Sequence, residues 1–215
     1  MDVSVWDPVR LAHPWFAGIS DLVARIDDEP DWPSIETLNE RFADELAGVG
    51  VHLVESGKTK ATLATDGTID PASLYEVRII ERGEIPTRAR NAHDLLNTLI
   101  WAAFPHAKLA LSRSLAVLQR ERAAGRARLP ATRTPEHDRL ALVDEGAVLR
   151  TPSRAWIFGH AILEHAYAGE LGVRGTVIEL GESAQSRPDV DRLFAAADLA
   201  RVVRRGPGVA VTELV

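Results

Sequence analysis

The chain has 215 residues, enough to bury one sizeable core, and its 46% hydrophobic and 26% charged residues exclude collagen-like, coiled-coil and disordered classes. A formal charge of -6 gives no global attraction to nucleic acid or to an anionic membrane, so neither is an expected partner. With no cysteine, disulfides, thiolate nucleophiles and cysteine-held metals are excluded; no apolar run approaches a membrane span and no leader pattern opens the chain, so a cytoplasmic protein is expected.

The amino-terminal segment sets Trp6, Trp15 and Trp32 among Pro8, Pro14, Pro30 and Pro33, and reads as short elements wrapped on a core with the indoles as anchors. Trp15 to Ile26 is predicted as a short amphipathic helix, and Ser34 as the N-cap of a second over Ile35 to Leu46, stopped at Gly48. Val49 to Val54 has the pattern of a strand, and the β-branched alternation from Leu74 to Glu81 predicts another, ending at Gly83. A helix follows over Asn91 to Lys108; Pro105 either kinks it or starts a new helix running to about Ala124.

Residues 125–137 form a basic, proline-containing loop, and Leu140 to Leu149 reads as a β-hairpin turning at Asp144, Glu145 and Gly146. Ser153 is expected to cap a helix through about Tyr167. Gly175 to Leu180 is then a strand, Val190 to Val203 a helix and Val209 to Leu214 a terminal strand. Helices and short strands mixed without a regular βαβ alternation argue a single α+β domain, helix-rich, with short strands and a β-hairpin.

Several motifs fail on chemistry. The run from Glu55 to Thr59 resembles the end of a phosphate-binding P-loop, but His52 stands where the earlier glycine is needed, and no nucleotide cofactor is expected. His160 and His165 are five residues apart, not one helical turn, so a zincin reading fails. His160 and Glu164 do share a helix face and could bind a metal or hold a proton between them, against the plainer reading of a helix-face hydrogen bond. Serine-hydrolase elbows and dinucleotide fingerprints are missing.

The helix at Asn91 carries the most specific chemistry. At 100° per residue Leu95, Leu96, Leu99, Ile100, Ala102 and Ala103 share one side. Arg90, His93, Asp94, Asn97, Trp101 and Phe104 share the other. An imidazole, a carboxylate, an amide and an indole are directional hydrogen-bonding groups, the composition of a pocket wall or an internal polar network. His93 can exchange protons near neutrality, and a carboxylate partner fixes its tautomer and raises its pKa. Adjacent helical residues diverge by about 100°, so His93 and Asp94 need not bond each other.

The stretch from Ser73 to Ser112 resembles domain of unknown function 3025, whose pattern is P-T-R…N-W-H-D-x-x-N-x-x-x-W-x-x-F-P-x-x-K. Pro86, Thr87, Arg88, Asn91, His93, Asp94, Asn97, Trp101, Phe104, Pro105 and Lys108 fall on it, while Ala92 replaces the usual Trp. Asp138, Asp144, Glu145, His160 and Glu164 are similar to later blocks of the family. The resemblance divides the single domain 1–215 into a less distinctive amino-terminal wrap, 1–73, and a family-like core, 74–165. It implies a bacterial cytosolic protein and no particular reaction.

Three readings follow. In the first, a hydrolase or lyase acts on a small polar or anionic substrate: His93 is the general base, Asp94 orients it or shares a divalent metal, Asn97 and Lys108 bind the substrate with Asn91 and Arg88, and Trp101 is a wall. Asp144, Glu145, His160 and Glu164 are supporting groups from elsewhere in the chain. In the second, the same groups form a ligand- or partner-binding pocket without proton transfer, and in the third a structural network. The expectation common to the first two is that His93, Asp94 and Asn97 share a concavity with Asp144, His160 or Glu164. Metal dependence and oligomeric state are not specified by the sequence.

Overall fold

The structure, a computed structural model, describes residues 4–57, 61–180, 184–197 and 209–213. Two 3-10 turns, Pro8–Ala12 and Pro14–Ile19, open the chain, each started by a proline and capped by the side chain of Asp7 or His13. Only Ser20–Val23 (α1) is α-helical here, so the single helix expected from Trp15 to Ile26 is broken; Gly18 sits against the Trp156 indole. The tryptophans do anchor the wrap. Trp6 and Trp32 rings lie 5.5 Å apart, Trp32 lies 6.4 Å from Tyr167, and the two indole N–H groups donate to the carbonyls of Glu29 and Ser4.

Ser34 accepts from the Thr37 N–H and starts Ile35–Arg41 (α2), but the helix breaks at the fully buried Phe42 and resumes as Ala43–Ala47 (α3). Strand His52–Glu55 (β1) follows; the Asn39 side chain pairs with both backbone groups of Leu53 and so closes one edge.

The strand expected over Leu74 to Glu81 is a helix, Tyr75–Arg82 (α4). Val77 is buried, and Ile80 partly buried, against α6, Pro105–Ala123, where Leu74, Val77, Ala116 and Ala123 belong to a small apolar cluster, while Ile79 enters the main core, and that packing overrides strand propensity. Gly83 ends α4 in the left-handed conformation at φ 67, its N–H bonded to the Ile79 carbonyl. It also passes so near Gly50 that a Cβ would lie 2.4 Å from the Gly50 carbonyl oxygen. The chain then enters Glu84–Thr87 (β2), unforeseen in the sequence, which pairs parallel with β1.

Ala92–Ala103 (α5) is buried almost all round, including Trp101 on its polar side. Phe104 makes the corner and Pro105 occupies the first turn of α6. The expected hairpin turn at Asp144 is overturned: Leu140 to Gly146 completes helix Pro135–Gly146 (α7), which Thr134 caps. The hairpin lies one element later, between Ala147–Arg150 (β3) and Ala155–Ile157 (β4), its turn closed by Thr151 and Arg154. Ser153 is therefore a turn residue, not a helix cap, and the helix is the shorter His160–Tyr167 (α8).

Arg174–Glu179 (β5) pairs parallel with β3, and Val209–Ala210 (β6) borders it, giving the order β4-β3-β5-β6. Helix Arg187–Ala195 (α9) is shorter than expected, though residues 198–203 lie outside the description, as does Leu214 of the expected final strand. Asp191 of α9 is buried and accepts from the His106 and Ala107 N–H groups, capping α6 from outside. One main core joins Leu96, Leu99 and Ile100 of α5 to Val148 and Leu149 of β3 and Leu163 of α8. Each such side chain contributes about 1.5–3 kcal/mol by leaving water.

Candidate active site

Four elements meet with their termini at one cleft. The first turn of α5 brings His93 and Asp94, the last turn of α7 brings Asp144 and Glu145, α8 begins at His160, and α4 begins at Tyr75; Arg88 arrives from the loop after β2. The cleft holds about 280 Å³. The close approach of α8 to α7 needs Gly159, where a Cβ would lie 2.4 Å from the Gly146 nitrogen. That contact carries His160 to the Asp144 backbone carbonyl, 2.9 Å from its Nδ1.

The hydrogen bonds fix the protons of the two histidines. A carbonyl only accepts, so His160 Nδ1 carries the hydrogen and a neutral His160 presents a lone pair at Nε2. That lone pair faces His93 Nε2 at 3.2 Å, with the rings at 84°. His93 Nδ1 in turn lies 2.9 Å from the Glu164 carboxylate, another acceptor. With acceptors at both nitrogens, His93 bonds at both ends only as the imidazolium. Electrostatics agree: the Glu164 hydrogen bond raises the His93 pKa, while burial, together with the charges of Lys108 and His93, pushes His160 down to about 4. Glu164 is held below its ordinary value by the same bond to His93.

Two Nε2 atoms at this separation could also meet on a cation. Zinc sites use three protein ligands at least, and among the described residues no three His, Asp or Glu side chains assemble to hold a metal. The donor set fits a shared proton better. The expected His160–Glu164 pairing within α8 is replaced by Glu164 bonding His93 across to α5.

Behind the cleft lies a buried cation. Lys108 on α6 is 3% exposed, and its ammonium donates to Asn97 Oδ1 at 2.8 Å and Asp144 Oδ1 at 2.5 Å. Asn97 passes the chain on by donating to the Tyr75 hydroxyl. Burial pushes the Asp144 carboxyl up, but Lys108 and His160 outweigh it and hold it below its ordinary value. Burial, with Asp144 and Glu76 beside it, raises the Tyr75 phenol far above its usual range, so Tyr75 is a neutral hydroxyl in the cleft wall.

The sequence-derived residues thus divide. His93, Asp94, Asn97, Arg88, Asp144, Glu145 and His160 line the cleft, and Glu164 reaches it through His93. Trp101 is fully buried and lies 5.5 Å from the Lys108 ammonium, so it supports the cation and is no wall of the cleft. Lys108 is enclosed and is not part of the cleft lining; its ammonium is held by Asn97 and Asp144. Asn91 caps α5 by accepting the Asp94 N–H. Arg90 turns away to Asp31. Asp94 does not orient His93; its carboxylate takes the Arg88 backbone N–H, Nε and Nη2 at 2.6, 2.9 and 2.7 Å. Tyr75 and Glu76 were missed because the segment reads as a strand, a pattern that hides which residues face the core.

Asp94→Asn tests that clamp. The amide offers one acceptor oxygen where three N–H groups converge and removes the charge, so unfolding free energy is expected to fall by about 1–3 kcal/mol in urea titrations. An unchanged midpoint would show that Arg88 is held by other means.

Residues 62–154 match the model of a family described as "Protein of unknown function (DUF3025)". This stretch, under half of the chain, is similar to that family. The DUF3025 match takes in Tyr75, Arg88, His93, Asp94, Asn97, Lys108, Asp144 and Glu145; His160 and Glu164 lie beyond its end. No curated protein and no solved structure matches the chain. Among the described residues no helix is long and apolar enough to cross a membrane.

Proposed function

We propose that the cleft is the active site of a hydrolase- or lyase-type enzyme acting on a small polar or anionic substrate, with His93 and His160 as its proton-exchanging pair. One observation carries the reading: two imidazoles meet at 3.2 Å on the cleft wall in environments that drive their proton affinities apart. Groups so paired are suited to acid and base roles. His93, kept charged by Glu164, is the acid; its side chain is 39% exposed, and a substrate heteroatom entering the cleft takes the place of His160 as partner of the Nε2 proton. His160, neutral and held by its Nδ1 bond, receives a proton at Nε2 when the substrate gives one up. Tyr75, Asn97 and Arg88 supply polar contacts for orientation.

A second reading, a binding pocket without proton transfer, is favoured by the mutual pairing of Arg88 with Asp94 and Lys108 with Asp144, which leaves little unspent charge. Turnover separates the two. Wild type is to be screened against ester, amide, phosphoester and elimination substrates. The enzyme reading expects activity that falls about 10²- to 10⁴-fold in folded His93→Gln and His160→Gln. A bound compound that is never converted, or turnover indifferent to both substitutions, would sink it. The setting we infer is bacterial and cytosolic, from the family resemblance and the acidic, cysteine-free composition.

A further inference from the structure

A second concavity, about 330 Å³, lies where α6 ends, the loop 124–134 returns and α7 begins. Arg122, Arg126 and Arg133 line it with Thr132 and Thr134, and Glu121 is the one acidic lining residue. Elsewhere guanidinium groups meet carboxylates, as in Arg25–Glu45, Arg88–Asp94 and Arg187–Asp21. Here, among the described residues, none of the three is ion-paired. Arg122 donates to the Pro130 and Thr132 carbonyls and to His137 Nδ1, and its buried Nε has no partner. Arg126 donates only to the carbonyls of Glu121, Arg122 and Ala124. The first turn of α7, a 12-residue helix, opens at the same place, its Thr134 side chain accepting from the His137 N–H.

Among the lining groups three guanidiniums face one carboxylate, a local excess of positive charge on a chain of net charge -6, with Glu136 and Asp138 of the first turn of α7 as the nearby acidic groups outside the lining. His137, 4% exposed, registers it. A guanidinium only donates, so the His137 Nδ1 facing Arg122 is a lone pair; burial, then Arg122 and Arg133, hold its pKa below the ordinary value against the opposing charge of Asp138. Cations gathered on one concavity without ion-paired carboxylates are matched to a compact dianion, for which arginine gives paired donors.

We propose that this concavity binds a small phosphate-bearing anion, separately from the His93–His160 cleft. The phosphate oxygens engage the guanidinium groups of Arg126 and Arg133, with Arg122 adding its charge from the wall, and the remaining volume takes the group that carries the phosphate.

The probes are inorganic phosphate and glycerol phosphate, titrated into the full chain at constant ionic strength, with the His137 ring followed by NMR and heats by calorimetry. Saturable binding of either probe, with His137 titrating at higher pH when the site is filled, is expected. Arg133→Gln should weaken it about tenfold, the loss of one charge-assisted contact. Arg122 also ties down the loop, so Arg122→Gln could disturb folding; Arg133 and Arg126→Gln carry the test, each checked by its unfolding midpoint. No saturable binding by either probe, or equal affinity in folded Arg133→Gln and Arg126→Gln, overturns the site. A failure here leaves the His93–His160 reading untouched, since the two share no residue.

Discussion

Asp144→Ala is expected to lower unfolding free energy by about 3–5 kcal/mol, because it leaves the Lys108 ammonium enclosed without its counterion. The asymmetry of the pair sets the size. Lys108 is 3% exposed, whereas the Asp144 side chain is 27% exposed. Lys108→Met strands a carboxylate that water still reaches, and should cost less than Asp144→Ala. In the double variant no buried charge is left alone, so its loss should fall well short of the sum of the single losses. Urea unfolding of the three variants measures all of this. Additive losses, or an Asp144→Ala cost below about 1 kcal/mol, would mean that the Lys108 ammonium is satisfied without Asp144. The Asp144 backbone carbonyl survives the substitution, so the hydrogen bond to His160 Nδ1 is kept while the carboxylate charge beside His160 is lost.

Glu76→Gln is expected to stabilise the protein at alkaline pH and do little at acid pH. Burial pushes the Glu76 carboxyl up to about 7 from an ordinary 4.5, and its Oε2 is enclosed without a partner. The folded chain therefore holds a proton that the unfolded chain has released. The contribution is present below the unfolded value and is lost as pH rises through about 7, a loss of about 3 kcal/mol for a shift of this size.

His160 slopes the other way. Its folded pKa, about 4, lies below the ordinary 6.5, so its contribution is present above 6.5 and lost as pH falls towards 4, again about 3 kcal/mol. Between the two ordinary values the slopes oppose, and wild type should show a shallow profile there. His93, raised by Glu164, adds a loss as pH climbs above its unfolded value. Removing Glu76 should uncover the His160 slope, stability rising from acid to neutral pH, with the largest gain over wild type near pH 8. A Glu76→Gln profile parallel to that of wild type would show that Glu76 ionises normally.

How much was legible in the sequence follows from which forces act locally. The α5 helix, its division at Pro105 and the Ser34 cap were readable because periodicity, proline sterics and side-chain capping operate within a few residues. α4 was not, since Val77, Ile79 and Ile80 favour a strand until α6 covers Val77 and Ile80 and the main core takes Ile79, contacts made far along the chain. The hairpin was right in kind and misplaced by one element: Gly146 ends a helix beside Gly159 and does not turn a hairpin.

In the cleft, residue types point to His93, Asp94 and Asn97, while their partners come mostly from other elements. Asp94 serves Arg88, Lys108 and Asn97 build the buried support, and the groups that bond His93 come from α8, about seventy residues away. Side-chain pairing across elements depends on where α7 and α8 touch, and that is set by a glycine contact no local pattern announces.

The most direct test of the account is the titration of His93 and His160 by NMR of their ring nitrogens. Two separate curves are expected. His160 titrates near 4 and holds its neutral form as the Nδ1–H tautomer, while His93 titrates above its ordinary value with hydrogen on both nitrogens at neutral pH. Two curves that coincide near the ordinary histidine value, or a neutral His160 protonated at Nε2, would contradict it.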